Sequence, residues 1–130
     1  MSSIIFFFRQ PGRLLSRWLL GVGLLALLAG CGSYQVSGGV SEGIDLAYQQ
    51  YAEGDCVSTI QTLSRVERML RSYRFLQPEV SLLRGLCLER QGYFVDAMET
   101  YNYIVTTFPQ SEYAYRAKAR LKVLSTQPAS

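Results

Sequence analysis

The segment from residue 78 to residue 111 decides the fold, and it reads PEVSLLRGLCLERQGYFVDAMETYNYIVTTFPQS. Apolar residues recur in it at every third or fourth position, which is the spacing of one face of an α-helix. Gly92 separates two such runs, and Pro109 ends the second. The runs contain Val80, Leu82, Leu83, Leu86 and Cys87, then Phe94, Ala97, Met98, Tyr101, Val105 and Phe108. The pattern predicts a hairpin of two helices.

Small residues stand in the middle of both predicted helices. Gly85 lies in the first and Ala97 in the second, where a small side chain lets two helices approach closely. Together with Gly92 at the turn and Pro109 at the end, this pattern resembles the tetratricopeptide repeat family. The resemblance implies an all-α fold of antiparallel hairpins stacked as a short solenoid, and a protein-binding function.

A looser copy of the hairpin precedes this segment. Residues 44–73 contain Ala47 as the small residue and Gly54 at the turn. The spacing from Gly54 to Gly92 exceeds the 34-residue family period by about four residues. We therefore expect an irregular join near residues 72–78.

One more helix is predicted after the hairpins. Ser111 is a good N-cap for residues 111–125, which carry apolar residues along one face. The sequence thus predicts about five helices in a domain at residues 44–125. Residues 31–43 are Gly- and Ser-rich and predict a flexible tether, and residues 126–130 predict a disordered tail.

The first 30 residues have the layout of a signal peptide. Three arginines precede the apolar run WLLGVGLLALLAG, which ends directly before Cys31. That run is shorter than the roughly 20 apolar residues needed to cross a bilayer. The sequence LAGC resembles the lipobox of bacterial lipoproteins, which implies acylation of Cys31. The alternative is an ordinary cleaved signal with Cys31 in a disulfide.

The residues after Cys31 bear on location. Gly32 and Ser33 follow Cys31. Neither is the Asp that, at this place, resembles an inner-membrane retention signal in Gram-negative bacteria. We therefore expect a lipid anchor in the outer membrane, on its periplasmic face. A Gram-positive origin would instead place the protein on the outside of the cell membrane.

The charge and the residue types argue against several functions. Three of the 13 basic residues lie in the signal, which leaves ten against ten acidic residues, so nucleic-acid binding has no support. The sequence contains no His, and its carboxylates are scattered singly. We expect no enzymatic activity, no metal site, no cofactor and no small-molecule substrate.

Two cysteines remain once Cys31 is assigned to the lipid. Cys56 begins one predicted helix and Cys87 lies near the end of the next, so antiparallel packing would bring them together. In an exported protein such a pair predicts a disulfide. The alternative is two buried free thiols that act as small apolar residues.

The resemblance also implies a binding surface. In the tetratricopeptide repeat family the first helix of each hairpin lines a concave surface that binds extended peptides or partner helices. Carried over to this chain, the partner-binding residues are Tyr48, Tyr51, Leu82, Leu86, Glu89, Arg90, Tyr113, Arg116 and Arg120. Arginines at 65, 68, 71 and 74 form a second candidate surface, interpreted either as a solvated helix face or as a contact with an acidic partner or anionic lipid headgroups.

These expectations combine into a lipid-anchored periplasmic adaptor for a protein partner of an outer-membrane assembly. Small lipoproteins of this kind resemble accessory subunits of the β-barrel assembly machinery and pilotins of secretin pores, and the junction FPQSEYAYRAKARL is similar to one in the former. Two alternatives are a docking regulator of a cell-wall hydrolase or protease, and a structural small subunit of a larger envelope complex.

Overall fold

The computed structural model describes residues 37–126, which contain five α-helices. They are α1 (Gly38–Ala52), α2 (Cys56–Met69), α3 (Gln77–Arg90), α4 (Phe94–Thr107) and α5 (Glu112–Thr126). The predicted all-α class with five helices is confirmed. The predictions for residues 1–36 and 127–130, including acylation of Cys31, lie outside the described residues.

Glycine turns connect the helices of each hairpin. Gly54 follows α1 with a φ of 85°, and Gly92 follows α3 with a φ of 82°. Both angles lie in the left-handed region, which glycine adopts without steric cost. The Asp55 side chain then accepts a hydrogen bond of 2.9 Å from the backbone N–H of Ser58 and caps α2.

The join between the hairpins is irregular, as the longer spacing predicts. Two short 3₁₀ helices, Leu70–Ser72 and Arg74–Leu76, lie between α2 and α3. Pro78 lies in the first turn of α3, where its missing N–H has no cost. The extra residues are therefore used in two tight turns.

The start of α1 differs from the prediction. Residues 38–43 were expected in the flexible tether, but α1 begins at Gly38. Val40 is fully buried, and a Cβ at Gly43 would lie 2.5 Å from Cγ2 of Val66 on α2. Tertiary packing of Val40 and the close approach at Gly43 thus outweigh the low helix propensity of glycine.

The described residues bury two hydrophobic cores, and α3 contributes to both. The first core contains Val40, Ile44, Ala47, Leu63, Val66, Leu70, Val80 and Leu83. The second contains Leu82, Ala97, Tyr101, Ile104, Ala114, Ala117 and Leu124. Each hairpin therefore depends on α3, while the stacking of the hairpins into a curved solenoid stays a prediction.

The last helix covers the second core. Ser111 accepts a hydrogen bond of 3.0 Å from the backbone N–H of Ala114, which confirms it as the cap of α5. Its residues Ala114, Ala117 and Leu124 face inward and belong to the second core. Within residues 37–126, no helix is both long and apolar enough to cross a membrane.

Candidate partner-binding face

The predicted partner-binding residues lie on α1, α3 and α5, and polar contacts connect these three helices. We call the exposed side of this row the α1/α3/α5 face, defined by Tyr48, Tyr51, Leu86, Arg90 and Arg116. α3 lies between the other two, because side chains near its start and its end contact both α1 and α5. The face is therefore one continuous surface built on three helices.

A carboxylate at the start of α3 joins all three helices. The Tyr48 hydroxyl on α1 donates a hydrogen bond of 3.1 Å to Glu79. Tyr113 on α5 lies near the same carboxylate, and burial together with this negative charge raises the pKa of Tyr113 to about 12. Burial and Glu79 likewise raise the pKa of Tyr48. Both hydroxyls stay protonated at neutral pH, and that of Tyr48 acts as the donor to Glu79.

Arg116 supplies a positive charge beside this cluster. Its guanidinium carbon lies 6.0 Å from the centroid of the Tyr113 ring. This distance is at the limit of a cation–π contact, and Arg116 is exposed. Most of its donors therefore remain available to another molecule.

A second arginine lies at the far end of α3. The Arg90 guanidinium carbon is 4.0 Å from the centroid of the Tyr51 ring, and Nη1 donates a hydrogen bond of 2.7 Å to the Tyr51 carbonyl. Tyr51 in turn packs against the first core. Arg90 is thus exposed but held in one orientation by α1.

Glu89 and Arg120, both predicted to bind a partner, pair with each other. Glu89 is 14% exposed and forms an ion pair with Arg120, whose Nε donates to it at 3.0 Å. The buried Tyr101 hydroxyl donates a further hydrogen bond of 2.9 Å to Glu89. The hydrogen bond to Glu89 also raises the pKa of Arg120. These two residues connect α3, α4 and α5 and stabilise the fold.

Leu82 is a correction to the predicted face. It is 3% exposed and belongs to the second core, so a partner cannot contact it. Leu86, one turn further along α3, is half-buried and packs at the edge of the same core. The rotation of α3 that places Val80 and Leu83 in the first core turns Leu82 toward the second.

The residue that sequence reasoning missed is Glu79. It was counted among scattered carboxylates, yet it lies seven residues before Leu86, which is two turns along the same side of a helix. That spacing was the available signal. Its contact with tyrosines of α1 and α5 was not readable, because it depends on how three separate helices pack.

Cys56 and Cys87 lie together at the contact between α2 and α3, as their positions predict. The structure holds them as two buried free thiols rather than as the predicted disulfide. Burial raises the pKa of the Cys87 thiol to about 12, and Cys56 and Thr59 lie beside it. The pair therefore packs as small, weakly polar groups in the interior.

Two reactive thiols are expected at positions 56 and 87 when the unreduced protein is denatured. In the folded protein both should resist alkylation near pH 8, because they are buried and the thiolate of Cys87 forms only as the pH approaches about 12. Mass spectrometry of alkylated peptides gives the count at each position. If the denatured, unreduced protein has no reactive thiol at either position, the free thiols are contradicted and the disulfide is supported.

The α1/α3/α5 face offers aromatic rings and positively charged hydrogen-bond donors. Tyrosine rings and arginine donors are held by contacts within the domain, and residues 37–126 contain no cluster of three or more Cys, Asp or Glu that could hold a metal ion. Aromatic and arginine side chains are enriched where protein partners bind tightly.

The chain matches no protein-family model, no curated protein and no solved structure.

Proposed function

We propose that this protein is a lipid-anchored periplasmic adaptor that binds a protein partner of an outer-membrane assembly. The observation that carries the proposal is the α1/α3/α5 face, where Tyr48, Arg90 and Arg116 remain exposed while contacts within the domain fix or support them. The proposal assigns no catalytic role. The sequence has no His, and Glu79 and Glu89 are each engaged by hydroxyl or guanidinium donors of other helices.

These side chains already hold one orientation before a partner binds, and this favours recognition of the partner. A flexible arginine loses rotamer freedom when a partner binds, and this loss weakens affinity. Arg90 is already held by the ring and the carbonyl of Tyr51, and Tyr48 is held by Glu79. The face is therefore suited to an extended peptide or a helix with carboxylates and apolar side chains.

The anchor in this proposal is Cys31, on the strength of the sequence LAGC. Because α1 begins at Gly38, the segment between anchor and domain is shorter than the predicted tether. Six residues of flexible chain have a typical reach of about 13 Å. The adaptor would thus hold its partner close to the membrane.

Removal of two exposed side chains from the face is expected to weaken partner binding at least tenfold. The variant is Tyr48→Ala with Arg116→Ala, and each truncation of a central contact residue costs on the order of 1–2 kcal/mol of binding. Tyr48 is 38% exposed and Arg116 is exposed, so helicity should be kept. The measurement is the yield of a chemically crosslinked adduct from intact cells, with circular dichroism of the purified variant.

The matched control is Tyr103→Ala with Lys118→Ala. Tyr103 on α4 is 42% exposed and Lys118 on α5 is exposed, and both lie outside the α1/α3/α5 face. This control should leave the adduct yield unchanged. Equal loss in both variants would contradict the assignment of the face.

The identity of the adduct decides between the proposal and its alternatives. A component of an outer-membrane assembly supports the adaptor, and a cell-wall hydrolase or protease supports a docking regulator. Adducts formed equally through every side of the domain would indicate a structural small subunit enclosed by a larger complex.

A further inference from the structure

The chain enters the described domain beside the join between α2 and α3. The backbone N–H of Ser37 donates a hydrogen bond of 3.2 Å to the Tyr73 hydroxyl. Tyr73 separates the two 3₁₀ helices of the join and lies between Arg71 and Arg74 in the sequence. The segment that leads back toward Cys31 therefore starts at this join.

The join carries an excess of positive charge. Arg68, Arg71 and Arg74 are exposed, and no carboxylate within residues 37–126 forms an ion pair with any of them. Arg71 and Arg74 line an open groove of about 250 Å³ whose lining carboxylate, Glu67, is paired with Arg84 at 2.7 Å. We call these three exposed arginines the basic join.

Arg65 is set apart from the basic join. It hydrogen-bonds to Thr62 and lines a different groove, between α1 and α2, together with Glu42. A carboxylate thus lies in the same groove as Arg65, whereas Arg71 and Arg74 line the other groove. The four arginines of the sequence pattern thus divide into Arg65, which shares a groove with a carboxylate, and the three of the basic join.

Three exposed carboxylates lie at the opposite end of the hairpins, where Arg90 also ends α3. Glu53 and Asp55 flank the turn at Gly54, and Asp96 lies in the first turn of α4 after the turn at Gly92. The full length of α2, roughly 20 Å for its 14 residues, separates Asp55 from the basic join. The basic join therefore lies at the point of chain entry, and these three carboxylates lie at the other end of the hairpins.

We propose that the basic join is a membrane-contact surface whose arginines bind the phosphate groups of anionic phospholipids. The proposal rests on the lipid anchor at Cys31, because six residues of chain can extend at most about 20 Å and so keep the join near the bilayer. Anionic headgroups attract clustered arginines near a membrane surface. An acidic protein is the rival occupant, and nearness to the anchor favours the membrane.

Apolar side chains flank the basic join on its exposed side. Phe75 is 55% exposed, and Met69 at the end of α2 is also exposed. Side chains of these types enter the boundary between headgroups and acyl chains when a basic surface lies on a membrane. Position 75 is therefore a suitable place for a probe of membrane contact.

The test uses the acylated protein made from the full chain, with Trp18→Phe so that any precursor that keeps residues 1–30 carries no natural tryptophan. A reporter tryptophan replaces either Phe75 at the join or Tyr93, which is 56% exposed at the opposite end. Each protein is reconstituted into vesicles of phosphatidylcholine with phosphatidylglycerol, and brominated lipid quenches its fluorescence. We expect several-fold stronger quenching of Phe75→Trp than of Tyr93→Trp.

The charge dependence is tested with matched double variants in the Phe75→Trp protein. Each arginine at an anionic surface contributes roughly fivefold to the docking equilibrium, so Arg71→Gln with Arg74→Gln should lower it about 25-fold. The control, Lys118→Gln with Lys122→Gln on exposed positions of α5, should change quenching little. High salt and vesicles of phosphatidylcholine alone should reproduce the loss.

The outcomes separate this inference from the anchor. Palmitate incorporation measures acylation of Cys31 alone. Quenching at the two reporter positions measures which end of the domain lies near the membrane. Equal quenching of both reporters in an acylated protein, or quenching unaffected by the Arg71 and Arg74 substitutions, would overturn the membrane-contact surface. Charge-dependent quenching at position 75 without acylation would keep the surface and refute the anchor.

Discussion

Replacement of Tyr101 by Ala is expected to lower the free energy of unfolding by about 3–5 kcal/mol. The Tyr101 ring is fully buried in the second core, and its hydroxyl donates to Glu89, which also pairs with Arg120. The substitution would leave a large cavity and remove one donor from Glu89. Total stabilities of domains are about 5–15 kcal/mol, so the loss should be visible in urea unfolding followed by circular dichroism.

The same site provides a sharper test in Gly85. A Cβ at this position would lie 2.5 Å from Cε1 of Tyr101, so Gly85→Ala should cost about 1–3 kcal/mol through overpacking. In the Tyr101→Ala background the clash is gone, and Gly85→Ala should be neutral or stabilising by up to about 1 kcal/mol through helix propensity. Equal effects in both backgrounds would contradict the contact.

Gly39 provides the matched control for the comparison of Gly85→Ala in the two backgrounds. A Cβ at Gly39 meets nothing within 4 Å, so Gly39→Ala adds a methyl group to a helix without a clash. It should leave stability unchanged or raise it slightly, in the natural protein and in the Tyr101→Ala background alike. A loss comparable to that of Gly85→Ala would show that glycine itself, and not the space beside Tyr101, decides the effect.

Cys31→Ser is expected to abolish acylation and to remove the lipid anchor. The reason is chemical, because in the proposed lipobox the thiol of Cys31 is the group that would form the thioether to lipid. Palmitate labelling and membrane fractionation give the measurement. Two or more acyl chains make an anchor stable, whereas one chain gives marginal membrane binding.

Cys56→Ser is the matched control for this loss. It removes a different thiol, which is buried at the α2–α3 contact, and leaves the sequence LAGC intact. Its labelling should equal that of the natural protein. Labelling of Cys31→Ser at the same level would refute the lipobox interpretation.

The helices and their turns could be predicted because their causes are local. The apolar period of residues 80–108, the turn glycines and the Ser111 cap act within a few residues of chain. The four extra residues between Gly54 and Gly92 likewise predicted an irregular join. Each of these features depends on neighbours that the sequence displays directly.

The sequence-based predictions were wrong where packing between helices decides the structure or the burial of a residue. The Gly-rich start of α1 was expected to be a tether, yet burial of Val40 and the close contact of Gly43 with Val66 make it helical. Leu82 was assigned to the face, although the rotation of α3 turns it into the second core. Periodicity shows that a helix has an apolar side but does not show which neighbour each residue meets.

The candidate site was predicted in outline and missed at its centre. Tyr48 and Tyr113 were identified, but Glu79, which joins them, was not. Glu89 and Arg120 were assigned to a partner, although they pair with each other. Such polar contacts depend on the distance between side chains of separate helices, which is not written in the spacing of any one of them.

Site-specific photocrosslinking in intact cells tests the central claim most directly. A photoreactive phenylalanine analogue is placed at Tyr48 or Arg116 on the α1/α3/α5 face, or at the control positions Tyr103 or Lys118. The account predicts that positions 48 and 116 give an adduct with the same envelope protein and that positions 103 and 118 do not. Adducts confined to the control positions, or identical adducts from all four, would contradict it.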